Sequence, residues 1–404
     1  VCREYLSAVL KEQLDSVEQE RDLSVNEVPE GEVLFINCRL LAYGDEIEEL
    51  CALLENDSVL EKNGFPVIAR LSADKAGDFL DFLLAPLTDD SVGRLFNSLK
   101  DAAQKGGDDD GMAGDDGLKE WCGGHGVSVR PTGAKLVSYY WQLIGENGKC
   151  IVDDFGKNPL RGAAPESELF RGVDLIKEED ILIGADVEVR SGTVLDASAG
   201  PIVISDGVGI EPNSIIYGPC FIGSGSIIRG GAKIGNGTSL GVQCRIGGEV
   251  GESIISSYTN KQHEGFIGHS YIGSWVNIGA GSCNSDLKNN YSKIRAWNAG
   301  RMRETGRIFL GLVTGDHVKI AINTRINTGS VIGFCSNVIS DGFPPKFIPS
   351  FVWKTEPEVT DVDLEKAIVT AGIMMDRRNV QFSPESSELF RTLNRYCRMS
   401  GRNV

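Results

Sequence analysis

No stretch of this 404-residue chain approaches the ~20 consecutive apolar residues that a membrane-spanning helix needs, and residues 1–22, VCREYLSAVLKEQLDSVEQERD, carry acidic side chains throughout without a signal-peptide core. They read instead as an amphipathic helix, and the chain is expected to be cytoplasmic and free of membrane. It opens on Val rather than Met, which points to a missing upstream piece. Basic residues are in deficit: 40 Lys and Arg stand against 57 Asp and Glu, for a formal charge of -17. That balance excludes a general binder of nucleic acid or of anionic lipid, both of which need a basic surface. Ten cysteines include no C-x-x-C and no zinc-type spacing, and Cys220 and Cys244 fall where small core residues are wanted. They read as reduced thiols. A chain of this length needs no disulfide or metal staple.

What is present is a period. Ile204, Ile210, Ile216, Ile222, Ile228, Ile234, Leu240 and Ile246 follow one another at six-residue steps, and four positions after each comes a mostly small residue: Val208, Ser214, Cys220, Ser226, Ala232, Thr238, Cys244 and Val250. Neither a helix nor an ordinary strand repeats this way. A hexapeptide repeat predicts a parallel β-helix, in which each short strand and corner lays one aliphatic side chain inward. The pacing begins at Ile183, Val189 and Leu195 and resumes with Ile308, Thr314, Ile320, Ile326, Ile332 and Val338, so the prism spans about 180–340. At 247–266 the six-step positions become Glu252, Tyr258 and Glu264, which predicts that the chain leaves the coil there. From Lys288 to Arg307 it breaks again, with Lys288, Lys293, Arg295, Arg301, Arg303 and Arg307 against a single Glu304. A cationic cluster in an acidic protein predicts a site for a phosphorylated small molecule.

Around the prism the composition changes. EVLFINCRLLA at 32–42 and FPVIARL at 65–71 read as buried strands, and SADKAGDFLDFLLA at 72–85 as a helix capped by its Ser. The Gly/Asp segment at 105–117 reads as a solvated insertion, and 135–149 as a helix ending near Gly145. Prolines at 341–353 predict an extended wrap, followed by two amphipathic helices, the second with Ser383 as cap and Pro384 at its first position. The expected architecture is mainly β: a partial α/β domain over 1–160, a left-handed parallel β-helix over 161–353 and a helical tail over 354–404.

NKQHEGFIGHSYIGSWVNIGAG at 260–281 resembles the acetyltransferase motif of the bacterial bifunctional N-acetylglucosamine-1-phosphate uridylyltransferase/glucosamine-1-phosphate N-acetyltransferase family. Its sugar-nucleotidyltransferase-like subfamily has counterparts to GGEV at 247–250, NSDLKNNY at 284–291, GDHVKIAINTRINTG at 315–329 and GFPPKFIPSFVW at 342–353. The resemblance implies that His263 is the catalytic base, that Phe266, Asn277, Asn284 and Asp286 contact the sugar, and that Ala280, Gly281 and Ala321 bind acetyl-CoA. Arg245, Lys261, Lys288 and Lys293 are then expected around the sugar phosphate. Phe266 lacks the hydroxyl of the family's tyrosine, and Asp286 stands where the family has an asparagine.

An amine attacks a thioester only in its neutral form, so a base that titrates near neutrality suits His263. The implied partners are an amino-sugar phosphate and acetyl-CoA in a homotrimer. Two other readings stay open. One is nucleotidyl transfer, with a nucleoside triphosphate and Mg2+, although the family's L-x-x-G-x-G-T-R-M phosphate loop is absent. The other is a non-catalytic scaffold. His263, His269 and His317 also raise a three-histidine zinc site of the γ-class carbonic anhydrase kind, which pairs two histidines five apart, whereas His263 and His269 are six apart.

Overall fold

The computed structural model describes residues 32–36, 40–41, 46–63, 65–84, 117–158, 167, 170–298, 300–356 and 358–399. The amphipathic helix expected at 1–22 lies outside them, as does all but the last residue of the acidic insertion. The chain divides into two compact units, Val1–Ser138 with Ser383–Leu393, and Tyr139–Phe382 with Asn394–Val404.

In the first unit a four-stranded sheet runs in the order Glu32–Ile36, Phe65–Ser72, Ser58–Lys62, Ser128–Pro131. Val59, Ala69 and Leu71 from the sheet pack with Phe79 and Cys122 from the helices Ala73–Leu84 and Gly117–Gly124. Ser72, expected as a helix cap, ends its strand and gives its hydroxyl to Asp57 instead (2.7 Å). Lys75 reaches the same carboxylate at 2.8 Å, and these bonds hold Asp57 down at about 2.

The second unit is the left-handed parallel β-helix that the six-residue period predicts. Its faces are sheets of six, nine and ten strands, here called first, second and third in the order the chain meets them. Each face carries one inward column. On the third it runs Val189, Ile210, Ile228, Ile246, Lys261, Ile278, Ile320, Val338 and Lys354. The small residues four steps on are buried, and some of them serve the backbone at the corners: Ser226 Oγ donates to the Gly241 carbonyl and accepts from the Cys244 N–H, each at 2.9 Å.

Turning a corner in so few residues needs one left-handed residue, and most corners place it three after the inward position. Gly207, Asn213, Gly225 and Gln243 fill that place with φ of 56–66°.

The coil does not open at 247–266. The corners after Ile246 and Val250 are shortened, so the inward residues become Val250, Ile255, Lys261 and Ile267, and stacking continues without a gap. The later break is real: after Asn284 the chain leaves as an antiparallel hairpin, Arg295–Asn298 with Arg301–Glu304, and returns to the second face at Leu312–Thr314. Ile308, counted above as the first resumed step, belongs to this excursion and is 44 % exposed.

The helix after residue 139 also runs further than expected, from Tyr140 through Gly145 and Gly148 to Lys157. At Gly145 the missing side chain permits close approach, whereas at Gly148 a side chain would make ordinary contact. A Cβ at Gly145 would meet the Arg307 guanidinium at 2.2 Å, and one at Gly148 would lie 3.4 Å from Gly237 Cα. Asn147 donates to the Gly237 carbonyl (2.8 Å) and so fixes the helix to the coil. Both tail helices form, Leu364–Asp376 and Pro384–Met399, the second capped by Ser383 Oγ on the Ser386 N–H (3.1 Å).

Each inward isoleucine is wholly enclosed, so truncation leaves a cavity that the stacked strands cannot close. Ile228→Ala should therefore cost about 2–5 kcal/mol. The check is the urea midpoint, and an unchanged midpoint would contradict the inward assignment.

Candidate functional site

The corner between the third and first faces differs after Lys261 from all its neighbours in the stack. Its turning residue is Gly265, at φ +133°, and a Cβ there would stand 2.2 Å from the Ser282 carbonyl oxygen. His263 is exposed on this corner. Together with Gln262, Glu264, Gly248, Ala280, Glu211 and Arg229 it lines a cleft of about 450 Å³. These residues come from successive coils at one edge of the prism, so the cleft runs along the stack.

What holds the corner is Lys261. It occupies an isoleucine's place, is 1 % exposed, and donates to the Gly247 carbonyl (2.7 Å) and to the carbonyl of His263 itself (2.6 Å). A buried ammonium without a carboxylate partner is costly unless its donors are satisfied. Burial pulls its pKa from the ordinary lysine value to about 8, against smaller raising effects of Cys283 and Glu264. The lysine expected at a sugar phosphate is thus an internal post beneath His263.

Three N–H groups follow across the cleft. Gly279 donates to the Ile320 carbonyl (2.9 Å) and Gly281 to the Glu264 carbonyl (2.8 Å). Among the described residues, no hydrogen bond occupies the N–H of Ala280, between them. Ala321 lies one coil on, its carbonyl accepting from Ser282 and Thr324 (2.8 Å each). In the cleft, Arg229 pairs with Glu211 at 2.7 Å. Neither was singled out in the sequence, although each directly follows an inward isoleucine, as Gln262 follows Lys261.

The other expected contacts are spread over the prism. Asn277 is exposed on the third face, in the same outward column as Arg245 and Asn260. Asn284 is turned inward and 3 % exposed, its amide exchanging hydrogen bonds of 3.0 Å with the Gly268 backbone. It replaces an aliphatic residue where the excursion departs, which removes it from any ligand in the cleft. Phe266 stands on the first face beside Asp286. Lys288 donates to Ser292 Oγ (3.2 Å), and exposed Lys293 lies 3.6 Å from Glu304.

Asp286 is engaged by His269, whose Nδ1 lies 2.8 Å from it while Nε2 lies 2.9 Å from Glu252. Burial works against the imidazolium, but the two carboxylates prevail and hold His269 up at about 9. Its ring stacks on Phe309 (4.8 Å), so one charged histidine ties together the outgoing and returning limbs of the excursion.

His263, His269 and His317 follow the third, first and second faces respectively and therefore stand on three different corners. His317 is enclosed between Trp275 and Phe334, and burial pulls it down to about 3. No metal-ligating cluster occurs among the described residues, none of whose helices is long and apolar enough to cross a membrane. No disulfide joins their cysteines.

No family model matches the chain. The bifunctional protein GlmU of Carboxydothermus hydrogenoformans is 26% identical over 226 residues, 50% of this chain and 47% of that protein. A bifunctional sugar-1-phosphate nucleotidylyltransferase/acetyltransferase of Sulfurisphaera tokodaii is 30% identical over 202 residues, 49% of this chain and 45% of its own. The match lies in the C-terminal half, and the chain spans about half the length of these curated relatives. Among solved structures, an Arabidopsis UDP-N-acetylglucosamine acyltransferase covers 52% of this chain and 80% of its own at 15% identity, with a TM-score of 0.26.

Two predictions follow from the geometry of these corners. Gly265→Ala should destabilise the coil by about 1–3 kcal/mol through backbone strain alone, with the steric contact at Ser282 added. Thermal melting checks this, and an unchanged melting temperature would contradict it. His269 has its pKa raised on folding, so its contribution is fully present below about pH 6.5 and is lost as pH climbs through 9. Relative to His269→Gln, the wild type should lose stability over that interval; parallel curves would show that the clamp carries no charge.

Proposed function

We propose that the coil is an acetyl-CoA-dependent N-acetyltransferase acting on an amino-sugar phosphate, with His263 as the general base. The observation that carries this reading is the pairing, across one cleft, of exposed His263 with the single unoccupied backbone N–H of its glycine-flanked corner, at Ala280. The Sulfurisphaera tokodaii relative, a bifunctional sugar-1-phosphate nucleotidylyltransferase/acetyltransferase, supports the reaction class.

The chemistry assigns each part a task. Acetyl-CoA supplies an activated thioester. His263 accepts the proton that the C2 amine loses as it becomes an amide. The N–H of Ala280 is oriented toward developing charge on the thioester oxygen, and because the corner is fixed it needs no reorganisation at that moment. The sugar phosphate is assigned to Lys288, Arg295 and Lys346, which stand outside the cleft's own lining and would reach it from a neighbouring prism. Burial lowers the pKa of Lys346, as do, to a lesser degree, the charges of the other two, which an anion would relieve. A homotrimer would close the cleft with a second prism.

His263→Ala removes an exposed side chain and leaves no cavity, so the melting temperature should hold. Loss of a general base lowers the rate by ~10²–10⁴-fold. The assay is thiol release from acetyl-CoA with glucosamine 1-phosphate and other amino sugars as acceptors. Wild-type turnover in the variant would remove His263 from the base's role.

A further inference from the structure

Across the third face from the cleft, two guanidinium groups meet without a counter-charge among the described residues. Arg245 projects outward from a strand whose neighbour in the stack carries Asn260 in register. Arg378, just beyond the helix Leu364–Asp376, lies against the same two coils: its Nη1 donates to the Gln243 carbonyl (3.2 Å) and its Nη2 to the Asn260 side-chain oxygen (2.7 Å). Nη1 of Arg245 is buried and has no hydrogen-bond partner. Burial lowers the pKa of Arg378, and the adjacent charges of Arg245 and Arg377 lower it further.

None of the charges that raise the pKa of Arg378 belongs to a carboxylate. Asp376, next in sequence to Arg377, forms no ion pair. The helix end offers at most about half a negative charge. Two partly desolvated guanidiniums side by side are thus held together at a cost that an anion would offset, and their planar forks match the oxygens of phosphate.

We propose that Arg245 and Arg378 form a binding site for a phosphoryl group, distinct from the cations of the excursion and set apart from His263. Arg245 is thereby moved from the sugar-phosphate cluster expected in the sequence to a site completed by the C-terminal helix. The assignment does not depend on acetyl transfer.

Calorimetric titration at low salt tests it, with inorganic pyrophosphate, adenosine 3′,5′-bisphosphate and glucosamine 1-phosphate as separate probes. At least one should bind the wild type, and Arg378→Gln and Arg245→Gln should each weaken it by about 10–100-fold, the loss typical of hydrogen bonds to charged groups. Arg378→Lys should recover only part, because an ammonium lacks the fork. The tightest probe identifies whether a nucleotide, a sugar phosphate or a bare phosphoryl group is the natural source. His263→Ala should bind as wild type, so failure here is separate from failure of the base assignment. If Arg378→Gln does not fold, Arg245→Gln carries the test alone. Absence of binding by every probe, or equal affinity in wild type and both Gln variants, would overturn the site.

Discussion

The structure around the cleft depends on one buried ammonium group. In the third face's column of isoleucine and valine, Lys261 is the first interruption, and it spends its hydrogen bonds on the backbone of two neighbouring corners. An aliphatic side chain there would fill the same space but leave the Gly247 and His263 carbonyls without that donor. An unsatisfied buried carbonyl costs roughly 1–3 kcal/mol, so the corner would relax toward other partners. The lysine therefore trades core hydrophobicity for a fixed loop. Gly265 completes the device by turning the chain at a φ that a side chain does not tolerate.

Electrostatics divides the rest of the molecule into compartments. His269 stays charged because Glu252 and Asp286 flank it, and it closes the base of the basic hairpin. His317 stays neutral because Trp275 and Phe334 exclude water from it. Of the three, only His263 keeps an exposed imidazole on an open corner. Three histidines of one prism thus have three different tasks, set by which corner each occupies.

Much of this was legible in the sequence. The six-step isoleucines gave the coil and its inward column, and the small residues gave its corners, because a hexapeptide period has no other regular use. The phase slip was not legible: shortening two corners places Ile255 nine residues after Ile246 rather than twelve, and a fixed count of six then misreads Lys261 as a surface cation. Gly145 suggested a helix end and proved to be a site of close approach. Arg378 carried no local signal at all, since its partner Arg245 is distant in sequence and only the packed tail brings them together. Asn284 kept a polar identity that reads as a ligand contact, yet it satisfies the backbone where the coil is interrupted.

The central claim is that Lys261 positions His263 without touching the reacting groups. Lys261→Ile restores the aliphatic column and tests it most directly when thiol release from acetyl-CoA is measured beside the circular-dichroism spectrum. The account predicts a coil with unchanged strand signal and turnover reduced by at least about tenfold, since a displacement near 1 Å costs up to ~10²-fold in a positioned reaction. Full turnover in this variant, with His263 still required, would contradict it.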